Sequence, residues 1–345
     1  MGTEIVMPRE GGPEVLRVER RELTDPESGQ VRVRVEAAGV SFAEVQMLKG
    51  RYFNQPRFPF VPGYDLVGIV ENVGEGVDDG LLGQRVAALT ETGAWADRVA
   101  LDAEELTPVP EGLDPAEAVA VITNGVTAWQ MLHRAAKVQP GQTVVVHGAS
   151  GGVGVLLVQL AWLADAEVIG TASASKHAQV RALGAVPLDY RTEDVLKRVR
   201  EISPGGVDAV FDHVGGPGLA DSWQMLRHGG TLVSYGSAST LEGTGHRLGP
   251  YLPILGRILM WNALPNGRRA TFYYVKRWPK HFRGDLKRVF TLLHEGVIDA
   301  RVARRRPLKK ASEALALLAS GRVSGKVVLI STSKAEEQSV RGRGL

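Results

Sequence analysis

Residues 147–154 read HGASGGVG and lie between the apolar run TVVV and the apolar run VLLVQLAWLA. Six of the eight are small and four are glycine, which leaves almost no side chain between a strand and a helix. The stretch Ala149-Ser150-Gly151-Gly152-Val153-Gly154 is a variant of the G-x-G-x-x-G fingerprint, with alanine at the first glycine position. Gly151 lets a pyrophosphate approach the backbone, and Gly154 lets the helix lie close on the strand. The N–H groups of the first helical turn, which have no acceptor inside the helix, receive the negative charge. A glycine pattern alone is weak, because turns use glycine for their own reasons. Its context is stronger: TVVVHG precedes it, and AEVIGTA, AVPLDY, VDAVFD and GTLVSYG follow as short apolar strands separated by stretches of helical length. Such alternation predicts a doubly wound parallel sheet of Rossmann type with a dinucleotide on its first turn.

The end of the second strand discriminates between dinucleotides. An NAD site places an acidic residue about 20 positions on, where it grips the ribose 2′-hydroxyl. Here the chain reads VIGTASASKH, with Ala172 and Ser173 in that place. No carboxylate opposes a 2′-phosphate, and Ser173, Lys176 and His177 are positioned to donate to it, so NADP(H) is favoured. The plainer alternative makes Lys176 an ordinary first-turn lysine, although a cation there is unhelpful to the helix dipole.

The rest of the chain has a different grammar. QVRVRVEAAGV, DLVGIVENVG, QRVAAL and AWADRVAL alternate with period two between Gly, Pro and Asp turns, as antiparallel β structure does. After ATFYYV, a sixth strand, come the helix GDLKRVFTLLHEG, the basic strand VIDARVARRRP, the helix KKASEALALLASG and the strand GKVVLI. These resemble the first third more than the middle, which predicts a nucleotide domain over 123–278 inserted into an outer domain made of 1–122 and 279–331, with 332–345 as a flexible tail. The segment 248–264 carries Pro250, Pro253, Gly256 and Arg257, a poor membrane span, and reads as an irregular lid or interface.

Composition removes several functions. With no cysteine, the chain has no disulfide, thiolate zinc site, iron–sulfur cluster or cysteine nucleophile, and it suits a reducing compartment. The start MGTEIVMPRE lacks an apolar h-region, and Val6 breaks the myristoylation pattern, so a cytoplasmic location is expected. Lys and Arg exceed Asp and Glu by only 41 − 38 = 3, and the basic run at 304–306 has no interleaved aromatics, so nothing demands nucleic acid.

The strings AAGVSFAEVQMLKGRY, PFVPGYDLVGIVENVGEGV, NGVTAWQMLHRAAKVQPGQTVVVHGASGGVG, VDAVFDHVGG, GGTLVSYG and GKVVL together resemble the zinc-independent medium-chain dehydrogenase/reductase superfamily. The similarity is to its NADPH:quinone oxidoreductase type, which includes ζ-crystallin and the VAT-1-like proteins, and it spans about residues 1–331. It implies a GroES-like barrel split around a Rossmann domain, with cofactor and substrate between them. Carried over by position, Thr127 approaches the nicotinamide, Ser150, Gly151, Gly152 and Val153 the pyrophosphate, and Ser173, Lys176 and Tyr190 the 2′-phosphate. Tyr235, Gly236, Ser237, Phe272 and Lys326 line the remaining cofactor surface. Tyr190 serves equally well as a strand-end aromatic packing on its neighbour.

Zinc-dependent relatives carry a cysteine after the AGV string and a histidine in a later PG-H-E string. This chain has Ser41 and Tyr64 there, and a hydroxyl and a phenol do not make that site. Reduction then falls on an acceptor already electron-poor, a quinone or an α,β-unsaturated carbonyl. Tyr52 and Tyr64 are candidates to bind its oxygen, with Ser41 and Glu44 in the same pocket; the alternative is aromatic packing under the barrel. His133 and His147 read as structural. The resemblance also implies a homodimer through the ATFYYV strand. A different class of function stays open, an NADPH-binding scaffold or membrane-associated VAT-1-like interaction protein with little turnover.

Overall fold

The computed structural model describes residues 1–236, 238 and 251–331. The chain divides into two compact units, one of residues 1–123 together with the chain from Leu286 onward, the other Asn124–Asp285.

The first unit opens with an antiparallel ribbon of β1 (Gly2–Val6) and β2 (Arg17–Arg21). There follow β3 (Gln30–Val40), α1 (Phe42–Leu48), β4 (Asp65–Val73), β5 (Arg85–Leu89), β6 (Arg98–Asp102) and β7 (Thr107–Pro108). The alternation QVRVRV buries Val31, Val33 and Val35 and turns the arginines outward, as a pleat with one covered face requires. Outside, Arg32 and Arg98 share the Glu71 carboxylate at 2.9 and 3.0 Å.

Helix α2 (Pro115–Gln130) leads into the second unit, where a π-helical turn over Met131–Ala136 precedes β8 (Thr143–Val146). Strands and helices then alternate: α3 (Gly152–Leu163), β9 (Glu167–Ala172), α4 (His177–Ala182), β10 (Ala185–Asp189), α5 (Val195–Ile202), β11 (Val207–Asp212), α6 (Leu219–Met225), β12 (Leu226–Ser234), α7 (Tyr251–Asn262) and β13 (Arg269–Phe272). All six strands are parallel, in the order β10-β9-β8-β11-β12-β13. Strand order reverses between β8 and β11, and ligands of such sheets bind beyond the carboxyl ends at that reversal. Val144, Val145 and Val146 are fully buried, which suits a strand covered on both faces. Asp285, within α8 (Pro279–His294), is 1 % exposed and accepts from Gln130 Nε2 at 2.8 Å and Arg134 Nε at 2.9 Å.

The chain then returns to the first unit with β14 (Val302–Pro307), α9 (Ala311–Ala319) and β15 (Lys326–Ile330). β15 pairs antiparallel with β3 and parallel with β14, completing a sheet of order β14-β15-β3-β4-β5-β7 with β6 on β3. The doubly wound domain is thus inserted into a split β domain, the architecture expected from the change of grammar along the sequence.

One expectation is corrected. Residues 251–262 form the regular helix α7 rather than an irregular lid. Pro253 lies in the first turn, where its missing N–H withdraws no helical bond, and Ile254, Ile258 and Trp261 recur at helical spacing and join the core of the second unit. Trp261 stacks on Trp223 of α6 with centroids 5.0 Å apart and planes 3° from parallel. Ring pairs of this kind contribute about 0.5–1.5 kcal/mol beyond buried area. Residues 239–250, Ser237 and the tail after Ser331 lie outside the described residues. Among those described, no helix is long and apolar enough to cross a membrane.

Candidate active site

In the second unit, the turn from β8 to α3 is tied to its neighbour strand. Ala149 N donates to Thr171 O at 3.0 Å, Gly148 N to Thr171 Oγ1 at 3.1 Å, and Gly151 N to Gly148 O at 2.9 Å. Helix α3 then starts with no side-chain cap, so its first N–H groups keep their outward dipole. The glycines have separate reasons. A Cβ on Gly154 would lie 2.2 Å from Gly148 O, and one on Gly152 2.5 Å from Asn124 Nδ2, so both are needed for packing. A Cβ on Gly151 meets only Gly148 O at 3.3 Å, so the backbone is open there, as a diphosphate requires.

Parallel register sets Ala172 of β9 level with Asp189 of β10, so residues 173–177 and 190–191 emerge side by side. Burial pushes the Lys176 ammonium below the usual lysine range, and the Arg191 charge pushes it further. Two cations held this close suit a doubly charged phosphate. The Arg191 guanidinium also lies over the Tyr190 ring, 5.6 Å from its centroid, and Tyr190 is 53 % exposed. Ser173 Oγ lies 3.3 Å from Ser175 Oγ. Arg191 was missed in the sequence; its signal was a basic residue directly after Tyr190 at the third strand's end. His177 donates through Nε2 to Ala172 O at 3.1 Å, which commits that N–H to the backbone.

His147 ties β9 to α6, with Nε2 3.1 Å from Ser222 Oγ and Nδ1 3.3 Å from Thr171 Oγ1. Ser222 Oγ in turn donates to Asp212 Oδ2 at 2.6 Å. Thr127 is buried beside Tyr273, whose hydroxyl donates to Gln130 Oε1 at 2.9 Å. Tyr235 packs on the His213 ring, centroids 5.9 Å apart, and burial raises its phenol above the usual range. Gly236 lies against His213, and Phe272 meets Tyr251 edge-on at 6.2 Å.

In the first unit, Tyr52 and Tyr64 are brought together. Their hydroxyls are 2.6 Å apart and both side chains are buried. Beside Tyr64 in sequence, Asp65 begins β4 and is fully buried with Glu44. Lys326, at the start of β15, is 2 % exposed, and its ammonium donates to Ser41 Oγ at 2.8 Å and Asp65 Oδ2 at 3.3 Å. Thr123 donates to the same carboxylate through N at 3.2 Å and through Oγ1. Glu44 Oε2 accepts the Ser41 N–H at 2.7 Å. Burial pushes the Glu44 carboxyl up to about 8; the Lys326 charge opposes the rise and Asp65 adds to it. Lys326, expected along the cofactor surface, thus has its ammonium engaged by Ser41 and Asp65, and Asp65 itself was not among the expected residues.

Residues 27–111 match the alcohol dehydrogenase GroES-like domain and residues 183–329 match a family described as zinc-binding dehydrogenase. The human synaptic vesicle membrane protein VAT-1 homolog is 33 % identical over 335 residues, covering 93 % of this chain and 84 % of its own. A 2-haloacrylate reductase of Burkholderia sp. is 33 % identical over 335 residues, covering 94 % of this chain and 98 % of its own. The crystal structure of Escherichia coli quinone oxidoreductase complexed with NADPH superimposes with a TM-score of 0.84 at 28 % identity, covering 95 % and 99 % of the two chains. The chain belongs to the zinc-independent medium-chain dehydrogenase/reductases, quinone oxidoreductase type.

This reductase family member does not fit the zinc that one matching description names. Ser41 and Tyr64 are a hydroxyl and a phenol, and Ser41 Oγ already receives the Lys326 ammonium at 2.8 Å. A dication placed there would meet a fixed positive charge and no thiolate or imidazole to offset it.

Proposed function

We propose that this chain is an NADPH-dependent reductase that transfers hydride without a metal to a quinone or to the β-carbon of an α,β-unsaturated carbonyl. One observation carries the reading: the uncapped start of α3 and the Lys176–Arg191 corner stand at the carboxyl ends of adjacent strands of one sheet, an arrangement suited to a diphosphate and one further phosphate. Ser150 to Gly154 hold the diphosphate. Ser173, Lys176, Tyr190 and Arg191 hold the 2′-phosphate, and Thr127, Tyr235, Gly236 and Phe272 border the remainder. NADPH, when bound, supplies a hydride to an electron-poor carbon. The chain's own part is to orient the acceptor, exclude water and place hydrogen-bond donors where negative charge develops on the acceptor oxygen. The Tyr52–Tyr64 hydroxyl pair is the candidate to do this at the acceptor.

Lys176→Ala and Arg191→Ala are each expected to weaken NADPH binding about tenfold, and about a hundredfold together, since hydrogen bonds to charged groups contribute about 1.5–3 kcal/mol and these side chains are partly solvated. NADH affinity stays within about twofold, because it lacks the phosphate. Calorimetric titration checks this, and equal losses for both nucleotides contradict the assignment. Mass spectrometry of products from a quinone and an enone then separates the two acceptor classes.

We also propose a homodimer through the edge of the six-stranded sheet. Among the described residues β13 pairs only with β12, and the adjacent helix α7 turns Leu252, Leu255, Leu259 and Met260 to solvent, Leu259 at 74 % exposure. An open strand edge beside an apolar stripe is stabilised by a second copy, which satisfies the edge and covers the stripe. Light scattering of the full chain is expected to give twice the monomer mass, and Leu259→Glu to shift it toward the monomer. A wild-type monomer overturns the proposal.

A further inference from the structure

The polar cluster of the first unit is more elaborate than a pair of binding tyrosines needs. Three ionisable side chains, Glu44, Asp65 and Lys326, are buried together, and among the described residues Glu44 Oε1 and Asp65 Oδ1 have no hydrogen-bond partner. Gly39 makes the room, because a Cβ there would lie 2.0 Å from Asp65 Oδ1 and 2.7 Å from Lys326 Nζ. Buried charges of this kind are held at an energetic disadvantage unless they are paired, and replacement by apolar residues is often neutral or stabilising. Ser41 is only half-buried and so connects the buried charges to the outside of the cluster. A serine hydroxyl has two lone pairs and one proton. Lys326 donates into one lone pair, so the proton of Ser41 points to an acceptor other than Lys326, and the ammonium behind it makes that proton more acidic.

We propose that Ser41 delivers the proton that completes the reduction, with Lys326 as the positioning residue that restores it; this rests on the reductase reading above. Hydride addition to the β-carbon of an enone forms a C–H bond and moves the π pair, leaving negative charge on the carbonyl oxygen. Ser41 Oγ–H protonates that oxygen while a proton passes from Lys326 Nζ to Ser41 Oγ, so no free alkoxide accumulates. After the enol leaves, a proton from solvent returns to Lys326 through the Ser41 hydroxyl, and the enol converts to the saturated carbonyl in solution. With a quinone, the same transfer turns the hydroquinone monoanion into the hydroquinone. Asp65 holds Lys326 in line through its 3.3 Å ion pair, and Glu44 fixes the Ser41 backbone through its 2.7 Å bond.

The test uses the full chain, Ser41→Ala and Ser41→Thr. With an enone and NADPH, Ser41→Ala is expected to lower kcat about 100-fold, the lower range for general acid catalysis, with KM for NADPH within about twofold. The solvent deuterium isotope effect on kcat is expected in the wild type and lost in Ser41→Ala, and Ser41→Thr is expected to restore most of both. A kcat within about threefold of wild type overturns the proposal. A second measurement does not depend on turnover. The NADP⁺-loaded protein is titrated with 4-nitrophenolate, an oxyanion that accepts no hydride, and its absorption is followed. Wild type and Ser41→Thr are expected to bind it at least about tenfold more tightly than Ser41→Ala. Equal binding by all three, or none by the wild type, overturns the Ser41 role. Failure of the wild type to oxidise NADPH with any quinone or enone instead overturns the reductase reading.

Discussion

Gly154→Val is expected to reduce NADPH affinity at least about 100-fold and to destabilise the second unit by about 1–3 kcal/mol, the range for forcing extra volume into a packed site. The cause is steric. The first added carbon already falls 2.2 Å from Gly148 O and 2.9 Å from Ala149 Cα, both backbone atoms that no rotamer change removes. Helix α3 must therefore back away from the turn, and its leading N–H groups move off the place proposed for the diphosphate. Each displaced charge-assisted bond removes about 1.5–3 kcal/mol, so losing two gives the expected factor. Gly256→Ala is the internal control: a Cβ there has nothing within 4 Å, and glycine in a helix interior is about 0.5–1 kcal/mol worse than alanine. Calorimetry with NADPH checks both. Binding within about threefold of wild type in Gly154→Val means the turn does not hold the cofactor.

Glu44→Gln is expected to flatten the dependence of stability on pH. The Glu44 carboxyl rises from 4.5 to about 8 in the folded chain, with burial as the largest cause. Between those values the folded state keeps a proton that the unfolded state has released, so stability falls as pH rises. The contribution is fully present below about 4.5 and is lost once pH passes about 8. The slope for one such group is about 1.4 kcal/mol per pH unit, so from pH 5 to pH 7 the wild type loses about 3 kcal/mol that the glutamine variant keeps. Gln keeps the acceptor for the Ser41 N–H, so α1 retains that bond. Denaturant midpoints for both chains at several pH values measure the difference, and parallel curves place the titration elsewhere.

Elements whose pattern is local are legible in the sequence. VDAVFD is β11 over the same six residues, and QVRVRVEAAGV is β3, because period-two burial is written in consecutive side chains. The glycine turn was legible for the same reason, since strand, turn and helix lie within about twenty residues. Helix α7 was not: Pro253 and Gly256 read as breakers, and only burial of Ile254, Ile258 and Trp261 in one core outweighs them. The role of Arg191 is not written locally, because its relation to Lys176 depends on the β9–β10 register, not on sequence distance.

By itself the sequence determined the doubly wound sheet, its insertion into a split β domain, the glycine turn between its first strand and helix, and the absence of an acid at the end of its second strand. These follow from short-range periodicity, glycine sterics and residue identity. Only the tertiary structure decided what Lys326 does. Its partners Asp65 and Ser41 are 261 and 285 residues away in the chain, and they meet because β15 pairs with β3 and β3 with β4. Which charge is buried against which is set by strand pairing across the domain, and no local pattern carries that information.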